Sequence, residues 1–135
     1  MVVEFFQPDA DLYTHVGKAE KAAELAEAAA MYDIASVCSF NFIPTSDIPE
    51  LINSVVGTNY TEEDLRQITR DVMTLERKFN NREGFTRKDD TLPSRLLNEP
   101  LPDGEAEGKK VEGLDTMLDE YYALRGWDKE GIPKE

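Results

Sequence analysis

Five apolar residues set the tightest limit on what this chain can fold into. In the stretch TEEDLRQITRDVMTLERKFN, Leu65, Ile68, Val72, Leu75 and Phe79 recur every three or four residues, the spacing of one face of an α-helix. Thr61, followed by Glu62, Glu63 and Asp64, supplies a capping residue and an acidic first turn. Gly84 lies just past the other end, where helices commonly stop. These signals predict a helix from about residue 61 to about residue 81 that buries all five residues.

Helical spacing governs the rest of the chain as well. In GKAEKAAELAEAAAMY, residues 17 to 32, Ala19, Ala22, Ala23, Ala26, Ala29 and Ala30 alternate with Glu20, Lys21, Glu24 and Glu27. Alanine and glutamate are strong helix formers, and an alanine face suits close helix packing. Asp33 is then placed to cap a following segment. NFIPTSDIPEL, residues 41 to 51, reads as a connection in which Ser46 or Asp47 caps a short helix starting near Pro49 and ending by Gly57.

Residues 82 to 113 hold Pro93, Pro100 and Pro102 with Gly84, Gly104, Gly108 and Gly113. They read as a long loop with one helical turn near Pro93 to Asn98, a loop that wraps the domain or serves a site. A last helix spans about Leu114 to Arg125, with Leu114, Met117, Leu118, Tyr121 and Leu124 as its stripe and Arg125 at its negative end. Trp127 in the tail is free to fold back. With no strand alternation and no repeat, the expectation is a single all-α domain over residues 1 to 135, irregular, with a long wrapping loop.

At 135 residues and 40% hydrophobic content the chain can build one core. A net charge of −13 repels phosphate backbones and anionic lipid, so neither nucleic acid nor a membrane is expected as partner. No apolar run is long enough to cross a bilayer and no secretory signal is readable. A lone cysteine, Cys38, makes no internal disulfide and points to a reducing, cytoplasmic setting.

Few residues offer chemistry. Cys38 as a nucleophile requires a base, and His15 is the only histidine; no cysteine-enzyme signature surrounds the pair. One cysteine and one histidine fall short of a structural zinc site. DGEAEG at 103 to 108 has the wrong spacing for a phosphate loop. Arg82, Glu83, Arg87 and Asp90 fit a salt-bridged loop better than a site. Taken alone, Asp33 reads as a helix cap and Cys38 as a small buried apolar residue.

Three longer blocks go further: ERKFNNREGFTRKDDTLPSRLL (76 to 97), EPLPDGEAEGKKV (99 to 111) and LDTMLDEYYALRGWDKEGIP (114 to 133). With GKAE (17 to 20) and DIASVCSF (33 to 40) they resemble the C-terminal end of the tungsten-containing aldehyde:ferredoxin oxidoreductase family, from about residue 16 onward. The resemblance implies a helical domain of an enzyme that oxidises aldehydes to carboxylic acids and passes the electrons to ferredoxin. It also implies a tungsten ion on two pterins beside a [4Fe–4S] cluster, whose fourth cysteine comes from an Asp-x-x-Gly-Leu-Cys motif.

Here that motif reads Asp33-Ile34-Ala35-Ser36-Val37-Cys38. By resemblance Cys38 is the cluster ligand, Asp33 holds a pterin, and Val37 and Ser39 lie beside the cofactor. Ser36 stands where the family has glycine, and Val37 where it has leucine. No three-cysteine run and no pterin-cradling part occur in the chain. The resemblance therefore implies a fragment or a separate small polypeptide that joins the remainder of the oxidoreductase. Alone, it is expected to hold no cofactor and oxidise no aldehyde. A cofactor-free helical interaction module is the alternative.

Overall fold

The computed structural model describes residue 11 and residues 13–134. Its elements are α1 (Lys18–Ile34), two single 3₁₀ turns (Ser39–Asn41 and Thr45–Asp47), α2 (Ile48–Val56), α3 (Glu62–Arg82), α4 (Ser94–Asn98) and α5 (Leu114–Leu124). The described residues contain no strand, only one antiparallel bridge between Trp127 and Pro133. The all-α expectation is met.

α1 packs against both α3 and α5. The alanines allow the approach, though not all on the expected face: Ala19, Ala23 and Ala28 are buried, whereas Ala22 and Ala29 are exposed. From α5, Arg125 reaches α1, its Nη1 donating to Glu27 Oε1 at 2.8 Å and its Nη2 to the Ala23 carbonyl at 3.1 Å. Arg125, the residue at which α5 stops, thus serves a tertiary contact.

α2 begins with Pro49 in its first turn and stops at Gly57, whose φ of 75° is the left-handed conformation that glycine favours. Neither Ser46 nor Asp47 caps it by a side-chain hydrogen bond; the Ser46 hydroxyl donates to Asp47 Oδ1 instead. α3 starts on a reciprocal capping box. The Asp64 N–H donates to Thr61 Oγ1 at 3.2 Å, and the Thr61 N–H donates to Asp64 Oδ2 at 2.8 Å. The Thr61 hydroxyl also donates to Asp64 Oδ2 at 2.7 Å, and this bond, with the one from the Thr61 N–H, holds the Asp64 carboxyl below its usual range.

The stripe expected on α3 splits. Leu65 is buried and Ile68 packs on the core with Met31, Tyr32 and Ile48. Val72 is half-buried, but Leu75 and Phe79 are exposed, at 68% and 54%. The buried line runs instead through Leu65, Thr69 and Arg77. The first half of α3 faces α1, whereas the second half turns toward the C-terminal tail, so the contact line drifts around the helix and leaves the last apolar positions outside. On α5 the fully buried residue is Tyr122, and Leu124 is exposed, for the same reason: the tail, not the helix face, supplies the partner.

That second contact centre is polar. Arg77 makes a bidentate pair with Asp90, at 3.0 Å (Nη1–Oδ1) and 2.6 Å (Nη2–Oδ2), and its Nε donates to the Gly131 carbonyl at 2.7 Å. The Tyr122 hydroxyl also donates to Asp90. The guanidinium lies 5.7 Å from the Tyr122 ring centroid and 5.3 Å from that of Trp127. Burial pushes the Asp90 carboxyl up, but hydrogen bonds from Arg77 and Tyr122 outweigh it and leave Asp90 below the usual carboxylate range. Burial and the bond to Asp90 push the Tyr122 phenol up to about 12.

The loop at 82 to 113 wraps as expected and is pinned by ion pairs. Arg87 Nη1 donates to Asp119 Oδ1 at 2.7 Å and to the Lys129 carbonyl at 2.9 Å. Arg87 and Asp90 are therefore structural, as their salt-bridged reading required, and Trp127 does fold back.

Candidate functional site

The segment from Asp33 to Ile43 carries the residues singled out by the motif. Its shape is set where α1 ends. The Val37 N–H donates to the Tyr32 carbonyl at 2.9 Å, and the Ser36 N–H donates to the Asp33 carbonyl at 3.1 Å. Ser36 sits at φ 55°. A left-handed residue just past the helix with these two bonds is a Schellman turn, a helix stop in which the next residue packs back on the last turn. Val37 does so, resting on the cluster of Met31, Tyr32, Ile48 and Leu65.

The turn gives the motif spacing a physical basis. In the motif that the resemblance implies, Asp-x-x-Gly-Leu-Cys, the glycine would fall on the left-handed position and the leucine on the position that packs back. Ser36 and Val37 preserve both functions, serine at a conformational cost. The Ser36 hydroxyl makes no hydrogen bond among the described residues.

Cys38 follows the turn as a free, exposed thiol. It opens the 3₁₀ turn, in which the Asn41 N–H donates to the Cys38 carbonyl at 3.0 Å and the Phe42 N–H to the Ser39 carbonyl at 3.1 Å. Cys38 is thus not the buried apolar residue that it resembles in isolation. Ser39 is exposed beside it. Large apolar side chains surround the thiol in sequence and stay in solvent: Phe40 is 80% exposed and Phe42 48%. The Tyr32 hydroxyl donates to the Ile43 carbonyl and closes the segment.

Asp33 does not cap a new helix. It lies within the last turn of α1, and its carboxylate, exposed, has no hydrogen bond or ion pair among the described residues. A carboxylate at the negative end of a helix destabilises it, so folding gives no reason for an acid here. Asp33, Cys38 and Ser39 are each exposed, whereas Val37 turns to the core.

His15 lies elsewhere. A Cβ on Gly113 would lie 2.5 Å from His15 Cγ, so the imidazole rests directly on that glycine. It lines a groove of about 640 Å³ with Lys18, Lys109, Lys110 and Met117. A second groove, of about 300 Å³, lies over Arg77, Asp90, Tyr122 and Trp127. Neither is lined by Asp33 or Cys38, so His15 is not placed as a base for the thiol.

Among the described residues no group of three or more His, Cys, Asp or Glu is gathered to hold a metal ion. One exposed thiol fits a single corner of an iron–sulfur cluster, which takes four ligands. An unpaired carboxylate nearby fits a ring that presents N–H donors. Tyr32, which brackets the segment, is a residue that sequence reasoning missed; nothing in its spacing marks it.

The sequence profile described as "Aldehyde ferredoxin oxidoreductase, domains 2 & 3" matches residues 2–135, extending the resemblance through the first fifteen residues. The chain is 41% identical over 110 residues to the tungsten-containing aldehyde ferredoxin oxidoreductase of Pyrococcus furiosus, covering 78% of this chain and 18% of that protein. It is 38% identical to the Thermococcus kodakarensis protein of the same name, with the same coverage. It is 37% identical over 121 residues to the aliphatic sulfonate oxidoreductase, WOR-like subunit, of Pyrococcus furiosus, covering 83% of this chain and 19% of that one. The chain thus spans about a fifth of the length of these relatives. Among solved structures, the active-site complex BamBC of benzoyl coenzyme A reductase, in complex with 1,5-dienoyl-CoA, shares the fold: TM-score 0.71, 20% identity, 95% of this chain and 20% of that one.

Proposed function

The chain belongs to the aldehyde ferredoxin oxidoreductase family, and from that premise we propose that it is the helical part of a tungstopterin and iron–sulfur enzyme that oxidises aldehydes to carboxylic acids with ferredoxin as acceptor. Bound tungsten supplies the two-electron oxidation and the cluster relays the electrons onward. This chain's residues bind and orient. Cys38 contributes one cluster thiolate, Asp33 accepts hydrogen bonds from a pterin, Ser39 lies beside the cofactor, and Val37 fixes the backbone next to it from the core side. The chain acts as one helical unit, in the cytoplasm, and gains activity only with the parts of the enzyme that carry the pterin and the other three cysteines. Among the described residues no helix is long and apolar enough to cross a membrane.

The observation that carries this reading is that Asp33, in the last turn of α1, and Cys38, just past it, are both exposed and without a side-chain partner among the described residues. The family match does not favour an interaction module without cofactor. Thiol labelling tests it. Cys38 in the folded chain should react rapidly with a maleimide, and assembly with the rest of the enzyme should block the reaction. Equal labelling before and after assembly would refute the proposal.

A further inference from the structure

Tyr32 touches both ends of the segment that carries Cys38. Its backbone carbonyl accepts from the Val37 N–H at 2.9 Å, which closes the helix stop just before the cysteine. Its hydroxyl donates to the Ile43 carbonyl, just after the 3₁₀ turn. The residue itself is 3% exposed and belongs to the core cluster with Met31, Ile48 and Leu65. The part of the segment between these two anchors, 38 to 42, is exposed. Among the described residues it is not part of the core cluster.

We propose that Tyr32 is the positioning residue for the Cys38 thiol: one buried residue pins the segment at its start through its backbone carbonyl and at its end through its hydroxyl, so the 3₁₀ turn between holds the sulfur in one place. This rests on the assignment of Cys38 as a cluster ligand. A ligand on a loop needs such support, since a displacement near 1 Å at a metal site is enough to lose function. Tyr32 supplies it from the rigid end of a 17-residue helix. The arrangement also accounts for a tyrosine, rather than phenylalanine, at a buried position: the ring fills the core and the hydroxyl spans to the carbonyl.

Tyr32→Phe keeps the ring and removes the second anchor. In the chain, amide exchange of Asn41 and Phe42, whose N–H groups close the 3₁₀ turn, should speed up about five- to tenfold, the loss expected for one hydrogen bond. Thr69→Val is the matched control. It removes another buried side-chain hydrogen bond, from Thr69 Oγ1 to the Leu65 carbonyl at 2.8 Å, and should lower stability without changing exchange at 41 and 42 relative to global opening. In the assembled enzyme, Tyr32→Phe should shift the reduction potential and EPR signature of the cluster, and Thr69→Val should not. Equal exchange in the two variants would overturn the positioning role, as would an unmoved cluster spectrum in Tyr32→Phe. Retention of the cluster in Cys38→Ala would instead overturn the ligand assignment on which the role depends.

Discussion

Ser36→Gly should stabilise this protein, although it removes a side chain. Ser36 sits at φ 55°, where a residue with a Cβ is strained by ~1–2 kcal/mol. Glycine relieves that strain but costs about 0.5–1 kcal/mol through the greater freedom of the unfolded chain. Among the described residues no hydrogen bond of the serine hydroxyl offsets the difference, and both Schellman bonds, from Ser36 to Asp33 and from Val37 to Tyr32, are made by backbone groups and persist. The net gain is about 0.5–1 kcal/mol, or roughly 2–4 °C in Tm for a domain of this size. Urea and thermal unfolding of wild type, Ser36→Gly, Ser36→Ala and Ser36→Val read it directly. Alanine should be close to neutral, and valine, β-branched, should destabilise by about 1 kcal/mol or more. A Ser36→Gly variant less stable than Ser36→Ala would refute the left-handed turn, and with it the explanation of the motif's glycine.

Asp33→Asn should raise the stability of the chain by about 0.3–1 kcal/mol by removing a negative charge from the C-terminal turn of α1, measured by urea unfolding, while weakening pterin retention in the assembled enzyme. Gly131→Ala should destabilise by about 2–4 kcal/mol, because φ is 72° there and a Cβ would stand 2.9 Å from the Tyr122 ring carbon Cζ; thermal unfolding checks it. In alkali the sign is set by Tyr122. Its phenol is raised to about 12 in the fold and ionises near 10 when unfolded. The unfolded state therefore loses the proton first, and stability present below pH 10 should be lost as pH rises toward 12. Tyr122→Phe should flatten that part of the stability profile.

The helices were legible because local signals specify them. The Thr61–Asp64 capping box, Gly57 and the 3.6-residue periodicity each act within a few residues, and all three recur in the fold. What was not legible depended on distant partners. Leu75 and Phe79 continue the stripe of Leu65, yet they stay exposed because the second half of α3 meets the tail through Arg77 and Gly131. The buried Tyr122 was hidden in the same way, since its partners Asp90 and Trp127 lie outside its helix. At the candidate site the helix stop was masked by a serine in a glycine's position, so Asp33 read as the start of an element instead of the end of one. Tyr32 carries no sequence signal at all: its hydroxyl bonds a carbonyl eleven residues away.

The central claim is that this helical chain lends one thiolate to a cluster held mainly by other parts of the enzyme. Iron content and low-temperature EPR of the assembled enzyme carrying Cys38→Ala test it most directly. The account predicts loss of the reduced [4Fe–4S] signal and of stoichiometric cluster iron. Cys38→Ser should keep a weakened cluster, because an oxygen ligand is harder than sulfur. Full cluster iron and an unchanged EPR spectrum in Cys38→Ala would contradict the account.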